Sequence, residues 1–286
     1  MTSDDITIHR GLTGVYFDRS ATTFIDGKNG VLEYRGYNIN QLAEHSTFEE
    51  TGYLLIHGKL PTQAELNDFD AELKAARELP EQVFDVLELV KDSHPMDALR
   101  TAVSALASFD EDRNDNSPEA TIRKGNRLTS QVPSIVMAHH NIRQGKDPIK
   151  PSTVLNHAGN FLYMLNGDEP SAATAELMDK DFVLHADHGS NASAFTARVV
   201  AGTAADIHGA VTAGIAALSG PSHGGAAENV MQMAKEIGKP ENAADYVKNL
   251  LSNRERVMGF GHRVYKAEDP RAGHLRAGVK KLSEEM

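Results

Sequence analysis

Two residue types are missing from these 286 residues, cysteine and tryptophan. Without cysteine there is no disulfide framework, no thiolate nucleophile and no Cys-ligated metal. Basic side chains are in deficit, 29 Lys and Arg against 40 Asp and Glu, for a net charge of −11. A nucleic-acid partner is therefore not expected, since phosphate binding needs clustered basic residues; a local basic pocket stays compatible with this balance. The start, Met1-Thr-Ser-Asp-Asp5, has no basic region followed by an apolar one, so no secretory signal is read and the cytoplasm is the expected compartment. Long apolar runs are also lacking. The closest approach, Ala192 to Ser219, is broken by Arg198, Asp206 and His208. It predicts a buried helix rather than a membrane span, because charges at the centre of a span are costly.

Strand signals are confined to the beginning. Thr22–Ile25 and Val31–Tyr34 flank Asp26-Gly-Lys-Asn-Gly30, whose Gly and Asn suit a tight hairpin. Helix signals follow. Ser46 with Glu49 and Thr62 with Glu65 have capping-box spacing, and Leu66, Phe69 and Leu73 recur at helical intervals. His94-Pro95 and Ser117-Pro118 place proline where a first helical turn accepts it. Asp110 to Ser117 is an acidic stretch without the glycine and glutamate of a calcium loop, and is expected to be a solvated connector. Strands do not alternate with helices, so the prediction is a mostly helical fold.

The chemistry gathers in three segments. In Leu184-His-Ala-Asp-His-Gly-Ser-Asn191, His185 and His188 would share a helix face, as metal ligands or as satisfied buried histidines. No further ligands lie at an established spacing, so no metal is expected. In Leu218-Ser-Gly-Pro-Ser-His-Gly-Gly-Ala226, the pattern around Ser222 matches a nucleophile elbow, and Asp269 and His274 follow in hydrolase order. The Ala-rich stretch before it reads as helix, whereas an elbow needs a strand. The other reading centres on His223 at a helix start, where the helix dipole disfavours an imidazolium and leaves a neutral hydrogen-bond donor. The third segment runs from Arg254 to Arg271. Gly259 and Gly261 bracket Phe260, and Arg271 is a candidate carboxylate clamp. A solvated basic loop is the alternative.

Taken in order, Leu-His-Ala-Asp-His-Gly-Ser-Asn, Gly-Pro-Ser-His-Gly-Gly-Ala, Gly-Phe-Gly-His-Arg-Val-Tyr-Lys and Asp269-Pro-Arg271 resemble the citrate synthase family. Leu32-Glu-Tyr-Arg-Gly-Tyr-Asn-Ile39, His94-Pro-Met-Asp-Ala-Leu-Arg100 and Phe161-Leu-Tyr-Met-Leu165 agree, and the likeness runs from about Gly11 to the end. The resemblance implies an all-α, two-domain fold with a small N-terminal β-hairpin and a homodimer or multiple of dimers. The large domain would span 1–222 and the smaller one would begin at 223–286. It implies a Claisen-type condensation of acetyl-CoA with oxaloacetate, giving citrate and CoA with no resident cofactor. By the same resemblance His223 and His262 are catalytic, and His188, Asn191 and Arg271 hold oxaloacetate. Val257, Met258, Gly259, Phe260, Gly261 and Lys266 meet coenzyme A. A 2-methylcitrate synthase, using propionyl-CoA, shares these motifs.

The sequence departs from the family in one respect. The family's catalytic Asp follows the Asp-Pro-Arg segment, and here Asp269 is the only Asp after His262. The chain thus resembles a family member shortened at its C-terminus, and these residues alone are expected to be weakly active or inactive. A non-catalytic CoA-binding or dimerising remnant is the alternative.

Overall fold

The computed structural model describes residues 14, 15, 18–262 and 264–285; Met1 to Thr13, Tyr16, Phe17, Arg263 and Met286 lie outside the described residues. Three short strands open the chain: β1 (Thr23–Asp26), β2 (Val31–Tyr34) and β3 (Tyr37–Asn38). They form one antiparallel sheet in that order, with Thr23 opposite Tyr34 and Glu33 opposite Asn38. The predicted hairpin is present, and β3 adds a third strand to it.

Helices make up the rest. They are α1 (Ile39–His45), α2 (Phe48–His57), α3 (Gln63–Ala75), α4 (Glu81–Leu89), α5 (Pro95–Leu106) and α6 (Pro118–Ile142). There follow α7 (His157–Asn166), α8 (Ala172–His185), α9 (Ala192–Ala201), α10 (Ile207–Leu218), α11 (Gly225–Ile237), α12 (Ala243–Ser252) and α13 (Pro270–Glu285). Among the described residues no helix is long and apolar enough to cross a membrane.

The main core lies where α4, α5, α6 and α10 meet around Val83, Leu87, Val103, Leu106, Leu128 and Ile135. A second core joins the sheet to α1, α2 and α8 through Leu32, Tyr34, Ile39, Leu42, Leu54, Val183 and Leu184, with Leu275 of α13 packed against it. That second core carries the candidate site, because the chain leaves α8 directly into His185–Asn191 and enters α13 through Asp269–Arg271.

Helix starts follow local chemistry. The Thr62–Glu65 capping box forms as predicted, and His94 and Ser117 cap the helices that open with Pro95 and Pro118. One expectation is displaced. The box at α2 uses Thr47 with Glu50, not Ser46 with Glu49. Glu49 is needed inside, where it is buried and accepts the His157 N–H at 2.8 Å. One other expectation changes. Ala192–Ser219 is two helices, broken at Gly202–Asp206 with Ala204 at φ 63°, and α9 buries no residue. The acidic stretch is a largely exposed connector, as expected, but it is also pinned at points to α6. Arg127 makes a two-pronged bond to the buried Asp110 carboxylate at 2.9 and 2.7 Å, and the fully buried Lys124 ammonium donates to Asp115 O at 2.6 Å.

A buried carboxylate beside this core yields a test. Asp179 of α8 accepts the Phe48 N–H, with both oxygens at 3.3 Å. Burial, then the neighbouring Glu49 charge, pushes its pKa up to about 6. A raised carboxyl favours the protonated form in the fold, so its contribution is fullest below about pH 4 and is lost as pH rises to about 6. Asp179→Asn keeps an acceptor for Phe48 and removes the buried charge. At pH 7 it should stabilise the protein by about 1 kcal/mol, and below pH 4 the gain should vanish. Thermal melts at pH 7.5 and 3.5 check this; a loss of stability at pH 7.5 contradicts it.

Candidate active site

Residues after α8 and before α13 meet on the sheet. His188, His262 and Tyr265 form a ring cluster, with centroids 5.6 Å apart for His188–His262, 5.5 Å for His188–Tyr265 and 5.0 Å for His262–Tyr265. His188 Nε2 and the Tyr265 hydroxyl are 3.1 Å apart. Burial, then the charge of Arg271, pushes His188 down to about 4, so its ring is neutral at pH 7. Burial pushes the Tyr265 and Tyr34 hydroxyls up to about 12, which keeps both protonated.

His262 is fixed by its own loop. Its Nδ1 accepts the N–H groups of Val264 and Tyr265, each at 3.1 Å. A nitrogen that accepts two amides carries no proton, so the ring proton sits on Nε2, where it is a donor. This small backbone cradle makes His262 suited to polarising a carbonyl.

Arg271 stands in the first turn of α13. Its Nε and Nη2 donate to Asp269 at 2.9 and 2.7 Å, with the two side chains 15% and 23% exposed. Burial would raise the Asp269 carboxyl, but the hydrogen bonds and charge of Arg271 outweigh it and hold the carboxyl below its usual range. The guanidinium is thus oriented by Asp269 as well as charged, leaving Nη1 and the free sides of the fork for a further carboxylate.

A second group forms three residues after His188. Asn191 caps α9 by accepting the Ala194 N–H at 3.0 Å, and the Ser193 hydroxyl lies 2.7 Å from the same Asn191 oxygen. Ser193 Oγ is also 2.9 Å from His223 Nε2. His223 sits in the turn just before α11, at the helix start the sequence predicts.

The coenzyme-binding candidates lie on one loop. Gly259 and Gly261 have φ of 84° and 82°, the left-handed region that glycine allows, and between them Phe260 is 78% exposed. A Cβ on Gly259 would come within 3.2 Å of Val230 on α11, so the loop lies close on that helix. Val257 and Met258 are half-buried, and Lys266 is exposed.

The rival readings fare differently. His185 ends α8 and bonds to Asp181 O at 2.9 Å, while His188 is in the following loop, so the two do not share a helix face. Among the described residues no group of His, Asp or Glu gathers as a metal site. Ser222 follows a helix rather than a strand. Asp269 is engaged by Arg271, and His274 faces Asn40 Oδ1 at 2.8 Å, so no hydrolase triad forms. Sequence reasoning missed Ser193, Tyr265 and Tyr34. Tyr265 lay inside a quoted motif, and Ser193 sits two residues after a capping Asn; neither position carries a signal until the chain folds.

A sequence profile described as "Citrate synthase, C-terminal domain" matches residues 11–286. The citrate synthase of Haloferax volcanii is 48% identical over 97% of this chain and 75% of that enzyme. The 2-methylcitrate synthase of Mycobacterium tuberculosis is 40% identical over 96% of this chain and 70% of that one. The structure of Thermoplasma acidophilum citrate synthase in ternary complex with carboxymethyl coenzyme A and oxaloacetate superposes with a TM-score of 0.88 at 29% identity, over 98% of this chain and 74% of that one. Fold and relatives together therefore define an acyltransferase of the mostly helical, citrate synthase type. The chain belongs to the citrate synthase family.

The electrostatics predict a titration. In an NMR pH titration His188 should stay neutral to about pH 4. Arg271→Gln removes a cation and frees Asp269, and both changes favour imidazolium. The His188 midpoint should therefore rise; an unchanged or lower midpoint contradicts the assigned coupling.

Proposed function

We propose that this site condenses acetyl-CoA with oxaloacetate, giving citrate and CoA. The observation that carries the reading is His262, whose donor Nε2–H is fixed by two backbone amides beside His188 and Arg271. Oxaloacetate is a 2-oxo dicarboxylate. Arg271 and the neutral His188 would hold its carboxylates, with Asn191 beside them, and His262 would polarise its ketone. His223 would donate from Nδ1 to the thioester oxygen as the acetyl methyl group loses a proton to solvent water. For that, His223 Nε2 must accept a hydrogen bond; the Ser193 hydroxyl, 2.9 Å away, donates its one proton to Asn191 Oδ1 in this structure and would have to turn it to His223 Nε2 when the thioester binds. The enol carbon then attacks the ketone carbon, the ketone oxygen takes the His262 proton, and water cleaves the citryl thioester. Coenzyme A would lie along Val257–Gly261 and Lys266.

Neither nearby carboxylate is proposed as the enolising base. Asp269 is held by Arg271, and Asp187 accepts from the Thr23 hydroxyl. These 286 residues on their own should therefore condense slowly, since a positioned base contributes about 10²–10⁴-fold. The two-domain division, with 223–286 opening the smaller domain, belongs to this proposal. So do cytoplasmic placement and a homodimer.

Thiol release from acetyl-CoA, with and without oxaloacetate, tests the reading. Release should be slow and oxaloacetate-dependent, and His223→Gln should lower it by a further ~10²-fold. Release that ignores oxaloacetate contradicts the proposal. Release at full enzyme rates would place the base within the chain and overturn the weak-activity expectation. Substituting propionyl-CoA distinguishes the 2-methylcitrate reaction.

A further inference from the structure

The small N-terminal sheet touches both segments of the site. From β1, the Thr23 hydroxyl donates to the Asp187 carboxylate. From β2, the Tyr34 hydroxyl donates to Leu184 O at 3.0 Å and accepts the Asp187 N–H at 3.3 Å. These three bonds hold the segment that carries His188. The β1–β2 turn reaches the other segment. The Lys266 N–H donates to Gly27 O at 2.6 Å. A Cβ on Gly27 would overlap the Val264 carbonyl, and one on Gly30 would lie 3.0 Å from Glu268 O. The turn is itself set by Asp26, which accepts the N–H groups of Lys28 and Asn29 at 3.0 and 3.2 Å and the Asn29 amide at 2.7 Å. A three-stranded sheet thus grips the loops on both sides of the His188–His262 pair, and the absence of a side chain at Gly27 permits the second grip.

We propose that this sheet is a bracket that sets the His188–His262 separation, with Gly27 as its positioning residue. Adding a methyl group at Gly27 would push the 264–266 backbone off the turn and take His262 with it, because the amides that cradle His262 Nδ1 belong to Val264 and Tyr265. The substrate consequence rests on the oxaloacetate reading above; the backbone consequence does not.

The test compares Gly27→Ala with Gly36→Ala. Gly36, at φ 88° after β2, has nothing within reach of an added Cβ, so its variant strains the same sheet without touching the loop. Hydrogen exchange of the Lys266 amide, calorimetric oxaloacetate affinity and the melting temperature are read for each. Gly27→Ala should speed Lys266 exchange and weaken oxaloacetate binding, each by about tenfold, the scale of one lost hydrogen bond. Gly36→Ala should lower the melting temperature and leave the other two readouts alone. If Gly27→Ala fails to fold, Thr23→Val serves: it should weaken oxaloacetate binding while Lys266 stays protected. The proposal is overturned if Lys266 exchange is unchanged in Gly27→Ala, if Gly36→Ala matches it, or if Thr23→Val binds as the parent does. Should the parent protein bind no oxaloacetate, the substrate reading falls, and Lys266 exchange still decides the bracket.

Discussion

The pairing of Arg271 with Asp269 is the interaction on which the site depends. A half-buried guanidinium is tolerated only with a counter-charge and good geometry, and Asp269 supplies both through two short bonds. The pair fixes the start of α13, whose Leu275 packs against the second core. It also sets the potential felt by His188, which the arginine charge helps to keep neutral. A neutral ring beside a fixed cation suits the binding of a dianion better than a cluster of competing positive charges, because the arginine supplies charge and the imidazole supplies a directed hydrogen bond. The same pairing removes Asp269 from proton transfer, which shapes what these residues can do unaided.

Around that pair the molecule uses backbone amides where other sites use side chains. His262 is oriented by two N–H groups of its own loop, and that loop is held by one carbonyl of the N-terminal turn. His223 is oriented through Ser193, whose hydroxyl lies between an Asn that caps α9 and the imidazole. Helix capping and the placement of His223 are thus one network: the Asn191 oxygen that starts α9 also accepts the Ser193 proton. Elsewhere, buried charges do comparable structural work. Arg77 donates to the carbonyls of Ser152 and Leu155 at 2.6 and 2.8 Å, and Lys124 fastens the 110–117 loop, so long connections are tied to helices by single cations.

Much of this was legible in the sequence because it is local. The hairpin, the Thr62 box and the proline-led helices depend on neighbours in the chain, and all are present. The motif strings singled out His188, His223, His262 and Arg271, and the fold brings the His188 and His262 rings within 5.6 Å of each other, with the Arg271 charge felt at His188. What was not legible depends on distant partners. Ser46 and Thr47 both offer a cap, and only the burial of Glu49 against His157 decides between them. The acidic loop is exposed as its sequence suggests, but nothing local tells that Arg127 and Lys124 of α6 would pin it. Ala192–Ser219 reads as one helix because Ala204 gives no warning of its positive φ. Asp269 and Arg271 are two residues apart, yet nothing in the spacing says that the carboxylate would be spent on its own arginine.

Calorimetric titration of oxaloacetate, into the protein and into Arg271→Gln side by side at pH 7, tests the central claim most directly. If Arg271 is the carboxylate clamp that organises the site, the parent should bind oxaloacetate and the variant should lose about a hundredfold in affinity, the scale of a charge-assisted bidentate contact. Equal affinity in the two proteins would contradict the account, and would move the substrate site away from the His188–His262–Arg271 cluster.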